Sequence, residues 1–210
     1  MSIEILQTER RLCTCCMEMH DVKRVSVLEH TIFKDEPVVY MADEYYCDMA
    51  DEFYTDEEMM NNNSIKIRDV YRQRKGLLTS VDIKAIRSKY GISQKDLCVL
   101  LGWGGKTITR YESYQVQDKA HDTILKKLDC DPEWYLTLLC EVESILPAEA
   151  YKRYYATASK LCENYRNKYV QRGIELAKCE NAKNLLGIIS DELIAEKIGI
   201  PLTMVRTLYQ

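Results

Sequence analysis

Apolar residues recur every three or four positions along most of the chain after residue 75, the spacing of one face of an α-helix. Thr79 stands before the first of these runs and is a residue type favoured at helix N-caps. Between Lys66 and Cys140 the pattern predicts a bundle of five helices with mainly local contacts. The predicted segments are 79–90, 93–101, 106–112, 118–128 and 132–139.

The first 60 residues follow a different pattern, in which apolar and polar residues alternate. Two such runs, Lys23–Phe33 and Val38–Tyr46, predict the paired strands of a hairpin in a small β-rich module. Asp56–Ser64, which contains three consecutive asparagines, predicts the junction to the helices. A linker or a short helix is expected over residues 64–75.

Helical spacing returns beyond Cys140. Pro147–Glu180 carries a stripe of tyrosines and predicts one long amphipathic helix, and residues 188–209 predict a further pair of short helices. We interpret this region as an interaction or dimerisation element, with a second DNA-contacting unit as the less favoured alternative. The predicted fold class is therefore mainly α with a small β-rich N-terminal module. The predicted domains are 1–60, 64–140 and 141–210.

The most informative stretch is Gly91–Glu112. Ser93 is a favourable N-cap, three glycines at positions 102, 104 and 105 interrupt the apolar face, and the face resumes at Ile108 and Tyr111. Two short helices around a glycine-rich turn are typical of a helix-turn-helix, whose second helix enters the major groove of DNA. A helical hairpin that only packs is the alternative.

Polar side chains on the outer side of this motif are candidates for DNA contacts. Arginine is well suited to bidentate recognition of guanine, and backbone amides near a helix start favour phosphate oxygens. For each of these residues, a solvated surface position is the alternative. The predicted DNA-contacting residues are Gln94, Lys106, Thr107, Thr109 and Arg110.

The net charge of −4 conceals a strong asymmetry along the chain. Asp35–Glu58 holds ten acidic residues and no Lys or Arg, whereas Lys66–Arg110 holds eleven basic residues against three acidic ones. A protein that binds a polyanion needs positive charge at its contact surface and not over the whole molecule. The acidic segment suits a basic protein partner, or it is a solvated face.

Nine cysteines occur in a chain without an apolar run long enough to cross a membrane, and Met1–Leu12 lacks the apolar centre of a signal peptide. We therefore expect a cytoplasmic protein with reduced thiols and, from Cys13-x-x-Cys16 followed by Cys47, a zinc site. A zinc ribbon needs a fourth ligand, and Ala50 stands where its cysteine would be. A ribbon without metal, held by a small apolar core, is the alternative. The candidate replacements for the fourth ligand are Cys15, His20, Asp48 and Asp51.

The order of these features resembles the MqsA-type (YgiT-type zinc finger) antitoxins over roughly residues 10–140. The resemblance rests on CxxC, on YYC followed by DEFY, on the asparagines, and above all on ISQKDL…LGWGGKTITRYE with QDKAHDTIL downstream. It implies a zinc-binding module joined to a Cro/repressor-like helix-turn-helix. It matches Lys106 and Arg110 to DNA contacts, and Cys13, Cys16 and Cys47 to three of four zinc cysteines.

The function predicted from these features is sequence-specific DNA binding by a homodimeric transcriptional regulator. The resemblance further implies repression of its own operon at a palindromic operator and neutralisation of a partner toxin by the N-terminal module. The alternative is a phage or mobile-element inhibitor that blocks another protein and uses the helix-turn-helix for autoregulation. We expect no enzymatic activity, because the chain lacks a Ser/His/Asp set and a phosphate-binding loop.

Overall fold

A computed structural model describes residues 3–208 and contains an N-terminal antiparallel sheet followed by helices. The strands are β1 (Ile3–Leu12), β2 (Met19–Phe33), β3 (Glu36–Cys47) and β4 (Glu52–Tyr54). The helices are α1 (Glu57–Arg74), α2 (Ser80–Tyr90), α3 (Gln94–Leu100), α4 (Thr107–Tyr111), α5 (Lys119–Cys130), α6 (Pro132–Glu141), α7 (Ala148–Leu185), α8 (Asp191–Ile198) and α9 (Leu202–Thr207). The prediction of a mainly helical protein with a small β-rich N-terminal module is confirmed.

The chain divides into two compact units, Met1–Tyr154 and Tyr155–Gln210, and α7 contributes residues to both. Among the described helices, none combines the length and the apolar character that crossing a membrane requires.

The sheet has the strand order β1-β2-β3-β4, and every neighbouring pair is antiparallel. The predicted hairpin is confirmed as β2 and β3, which pair from Lys23 opposite Tyr46 to Phe33 opposite Glu36. Its two-residue turn, Lys34–Asp35, has φ angles of 50° and 62°. Such left-handed turn residues match the right-handed twist of the two strands.

The predicted junction at Asp56–Ser64 is largely helical, because α1 begins at Glu57 and includes all three asparagines. The Asp56 side chain caps the helix by accepting a hydrogen bond from the backbone N–H of Met59. Asn63 is buried, and its amide exchanges two hydrogen bonds with the backbone of Asp43, at 2.9 and 2.8 Å. A tertiary contact to β3 therefore stabilises this part of α1.

These bonds lie along the part of β3 that β4 does not cover, since β4 pairs only with residues 45–47. Two further side chains of α1 continue the series: Lys66 donates to the carbonyl of Met41 at 3.0 Å, and Arg74 donates to that of Pro37. Exposed strand edges invite pairing with other chains. Helix α1 covers this edge with side-chain donors.

The predicted helices between residues 79 and 139 are confirmed as α2 to α6. Thr79 forms a capping box with Asp82 at the start of α2, and Ser93 caps α3. The apolar faces meet in a shared core where the rings of Tyr90 and Tyr135 stack at 3.7 Å. Fully buried members of this core are Ile83, Leu97, Ile108, Leu125, Leu128 and Leu139.

Arg72, near the end of α1, is the largest fully buried side chain among residues 3–208. Its Nη1 donates to the Asp69 carboxylate at 2.6 Å, and its Nε donates to the Gln117 side chain at 3.0 Å. Its Nη2 donates to the carbonyls of Tyr111 and Gln115, both at 2.7 Å. One guanidinium thus connects α1 to the last residue of α4 and to the segment that follows.

The second unit has its own small apolar core. Ala182 on α7, Ile194 on α8 and Val205 on α9 are buried together. Ser190 caps α8, and Gly199 ends it with a left-handed φ of 69°. The helices predicted for residues 147–209 are confirmed as α7 to α9, within the range that the structure describes.

Replacing Arg72 by methionine is expected to destabilise the first unit by about 3 kcal/mol or more, because the substitution leaves the partly buried Asp69 carboxylate and three acceptors without their donor. Urea unfolding of the full chain, followed by circular dichroism, measures the loss. Lys84→Met, at an exposed site on α2, is the control and should change stability little. A similar unfolding midpoint for both variants would contradict the role given to Arg72.

Candidate functional site

Four side chains with metal-binding atoms converge at one end of the sheet: Cys13, Cys16, His20 and Cys47. Their ligand atoms all lie within 4.8 Å of one another. Cys13 follows β1, Cys16 lies in the turn before β2, His20 is the second residue of β2, and Cys47 ends β3. Cys13 and Cys47 are completely buried. The cluster can hold a metal ion.

Tight backbone turns hold the cysteines in place. After Cys13, the chain turns back so that the N–H of Met17 donates to the Cys13 carbonyl at 2.9 Å, and Met17 takes a left-handed φ of 61°. After Cys47, the N–H of Ala50 donates to the Cys47 sulfur at 3.3 Å. The second turn thus brings residue 50 close to the sulfur, but alanine has no ligand atom to add.

His20 offers the fourth ligand atom of the cluster. Its Nδ1 is 2.9 Å from the carbonyl oxygen of Asp21. Because a carbonyl only accepts, this hydrogen bond assigns the proton to Nδ1 and leaves the Nε2 lone pair for a metal. The His20 Nε2 lies 3.6 Å from the Cys47 sulfur. A tetrahedral zinc site with Zn–S of about 2.3 Å and Zn–N of about 2.0–2.1 Å has a sulfur–nitrogen edge of about 3.6 Å.

The other candidates for the fourth ligand have different partners. Asp48 pairs with Lys23 at 2.7 Å, and Asp51 accepts a hydrogen bond from the hydroxyl of Tyr46. Cys15 is partly buried and packs against the apolar residues beside the cluster. The sequence signal for His20 was its position four residues after Cys16. The strand beside it in the sheet ends at a third cysteine, Cys47.

The surroundings of the cluster favour the thiolate at Cys13, the form that binds metals. Burial acts to raise the pKa of Cys13, but hydrogen bonds from the backbone N–H of Cys16, from His20 when its Nε2 carries a proton in the metal-free cluster, and from the backbone N–H of Cys15 outweigh it and lower the pKa to about 5. Burial and the charge on Cys13 raise the pKa of Cys15. Three cysteines and one histidine equal in number the four positions of a tetrahedral ion. An ion held by all four would have no open position for a substrate.

A second candidate site lies on α3 and α4, which pack together across a turn containing the left-handed Gly102. Helix α4 buries Ile108 and Tyr111 and directs its other side chains outward. Of the predicted DNA-contacting residues on this side, Lys106 and Thr109 are exposed, whereas Thr107 and Arg110 are partly buried.

The structure brings Gln94 and Thr109 together. The Thr109 hydroxyl donates to Gln94 Oε1 at 2.8 Å, and Gln94 Nε2 donates to the Glu112 carboxylate at 2.7 Å. Glu112 is buried and forms a two-point ion pair with Arg87 of α2 at 2.7 and 3.1 Å. Sequence reasoning missed Arg87 and Glu112, since nothing in their spacing shows that they meet.

Lys106 and Arg110 lie one helical turn apart. Lys106 is the N-cap of α4 and makes no side-chain capping bond, and the Arg110 Nε donates to its carbonyl at 3.4 Å. The Arg110 carbonyl accepts from the N–H groups of three following residues, which ends the helix without a glycine. The Trp103 ring stacks on the His121 ring, with 4.0 Å between their centroids.

In comparisons with protein-family models, with curated proteins and with solved structures, nothing matches this chain. The resemblance to the MqsA-type antitoxins therefore rests on the sequence motifs alone and stays a prediction.

Neighbouring cysteines give a matched test of the metal cluster. Cys16→Ser is expected to abolish stoichiometric metal binding, because it removes one of four ligands, whereas Cys15→Ser should retain one ion per chain. Metal content after purification is measured by inductively coupled plasma mass spectrometry.

The two histidines of β2 give a second matched pair. His20→Ala should lose the ion, and His30→Ala, at an exposed position on the same strand, should keep it. Equal metal content in all four variants would show that the cluster is not the binding site.

Proposed function

We propose that this chain is a DNA-binding transcriptional regulator in which α3 and α4 form a helix-turn-helix. The main observation that supports the proposal is the set of polar side chains on the outer side of α4. Lys106, Thr109 and Arg110 stand over a buried Ile108, on a helix held against α3 by the Gln94–Thr109 hydrogen bond. A recognition helix needs this combination of polar donors and rigid support.

The contacts that hold α4 in place support its proposed role in base recognition. The Arg87–Glu112 ion pair has little solvent access and is extended by Gln94 to Thr109, so three helices hold one polar network. In addition, Arg72 Nη2 donates a hydrogen bond to the carbonyl of Tyr111 at the end of α4. Base recognition depends on side chains kept close to one geometry, which a fixed helix provides at low entropic cost.

Charge near the helix pair also supports DNA binding. Within the described residues, five of the eleven basic side chains between Lys66 and Arg110 form ion pairs: Lys66, Arg72, Lys75, Arg87 and Lys89. Lys95, Lys106 and Arg110 take part in no ion pair among residues 3–208. These three cations remain available for phosphate oxygens or base edges.

We further propose that the cluster of Cys13, Cys16, His20 and Cys47 holds a structural Zn²⁺. Soft thiolates with one imidazole in tetrahedral spacing are the donor set that zinc prefers. The ion would join the end of β1, the start of β2 and the end of β3. Because a sheet of four strands buries little apolar surface, the metal would supply much of the folding free energy of this module.

The resemblance to MqsA-type antitoxins supports two further parts of the proposal. The chain would bind a palindromic operator as a homodimer and repress its own transcription, and its zinc module would bind a protein partner. Dimers of helix-turn-helix proteins place two recognition helices about one DNA turn apart, or roughly 34–36 Å.

Arg110→Ala is expected to weaken binding to a duplex that covers the upstream region of its own gene, by about 1–3 kcal/mol if the guanidinium reads a base. Lys106→Ala should lower affinity for all duplexes and reduce the slope of log K against log salt by about one. Fluorescence anisotropy across a salt series measures both.

Lys84→Ala, on the exposed side of α2, is the control for these measurements and should match the wild type. If neither Arg110→Ala nor Lys106→Ala differs from the control in affinity or salt slope, α4 is not a recognition helix.

A second candidate function, blocking another protein, is favoured by strand β1. It is the outermost strand of the sheet, and Ile3, Ile5 and Leu6 are about half exposed on it. An extended segment of a partner can add to such an edge through backbone hydrogen bonds and apolar contacts. The inhibitor would act through this edge, with DNA binding reserved for autoregulation.

The acidic segment offers less support for a basic partner than its composition indicates. Four of its ten acidic residues pair with basic side chains of the same chain: Glu36, Asp43, Asp48 and Asp56. The apolar edge is therefore the stronger argument for a protein partner.

Ile5→Lys combined with Leu6→Lys is expected to abolish co-purification of the protein encoded by the neighbouring gene, because buried lysines would oppose the apolar contact. Met60→Lys, at an exposed site on α1, is the matched control and should leave co-purification intact. Retention of the partner by the double variant would exclude β1 as its binding edge.

A further inference from the structure

A cavity of about 390 Å³ lies between the tip of the β2–β3 hairpin, the end of α1 and the start of α5. Four lysines from these three places line it: Lys34, Lys75, Lys119 and Lys126. Tyr71 adds an aromatic wall. A pocket of this size lies at the lower end of the range for small-molecule sites, which is about 300–1,000 Å³.

The positive charge of the cavity is only partly compensated. Lys75 pairs with Glu36, and Lys126 pairs with the Asp122 carboxylate at 2.7 Å. Lys34 and Lys119 form no ion pair within the described part of the chain. Two positive charges therefore remain at the cavity, which matches the charge of a phosphate group near neutral pH, about −1.5 to −2.

The inner wall of the cavity is fixed by buried polar groups. Gln117 and Asp122 are 3% and 2% exposed. Asp122 accepts from the N–H of Leu78 at 2.8 Å, and Gln117 donates to the Leu78 carbonyl at 2.6 Å and to Asp122 at 3.1 Å. These bonds hold the wall in one arrangement before any ligand enters, and a preorganised wall lowers the cost of binding.

We propose that this cavity binds a small molecule that carries a phosphate group. Lysine ammonium groups are frequent phosphate ligands, and Lys34 and Lys119 approach from separate elements, so a phosphate between them would join the hairpin tip to α5. A DNA duplex presents its phosphates on a convex surface. The concave cavity, with its aromatic wall, suits a compact ligand instead.

The cavity is connected to α4 through the buried guanidinium. Gln117, in the cavity wall, accepts a hydrogen bond from Arg72 Nε, and Arg72 Nη2 holds the carbonyl of Tyr111 at the end of α4. A ligand that contacts this wall would therefore stabilise α4 in the position that Arg72 holds. This regulatory consequence rests on the proposed function, whereas binding of the phosphate does not.

Isothermal titration of the full chain with inorganic phosphate, without DNA and at constant ionic strength with chloride as the replacement anion, tests the site. Saturable binding of one phosphate per chain is expected, and Lys34→Gln with Lys119→Gln should weaken it by about tenfold or more. Lys84→Gln with Lys152→Gln removes the same charge at exposed positions elsewhere and should leave phosphate affinity unchanged.

Non-saturable binding, or equal loss in both double variants, would overturn the proposal. The proposal would also be overturned if the wild-type chain does not bind free phosphate and the Lys34/Lys119 variant loses DNA affinity. The two lysines would then contact the DNA backbone. If phosphate binds but DNA affinity does not change, the proposed phosphate site is supported and its proposed coupling to α4 is wrong.

Discussion

The packing of the first unit depends on one buried charge, the guanidinium of Arg72. An unpaired cation in the interior would cost several kcal/mol, so its position requires the acceptors that surround it. Those acceptors come from three places: Asp69 on the same helix, the carbonyls of Tyr111 and Gln115, and the amide of Gln117. The hydrogen bonds therefore fix α1 against the end of α4 and against the cavity wall at once.

Asp69 extends this constraint to α2. Its carboxylate accepts from Arg72 and also from the backbone N–H and hydroxyl of Ser80, at 2.8 and 2.6 Å. The other side of α1 holds the open edge of β3 through Asn63. Helix α1 thus contacts both the sheet, which carries the cluster of Cys13, Cys16, His20 and Cys47, and the helices, which carry the proposed DNA-reading surface.

Local sequence patterns predicted most of the elements and failed where a long-range contact decides. The hairpin and α2 to α9 follow from alternation, helical spacing and caps such as Thr79 and Ser93. Three asparagines have weak helix propensity, and the sequence predicted a linker or short helix only from residue 64, yet Asn63 is helical and its amide satisfies the backbone of Asp43. The sequence left the fourth metal ligand undecided for a similar reason. His20 and Cys47 are far apart in the chain, so no local pattern shows that they meet.

The sequence by itself determined the β2–β3 hairpin, the helices α2 to α9 and the residue types proposed for metal and DNA contacts, but not β1, β4 or the start of α1. Only the tertiary structure decided which of these side chains meet. His20 joins Cys47 across 27 residues of chain, and Arg72 reaches Gln117 across 45. Periodicity reports the faces of a single element, whereas such pairs depend on strand register and helix packing, which the whole chain sets together.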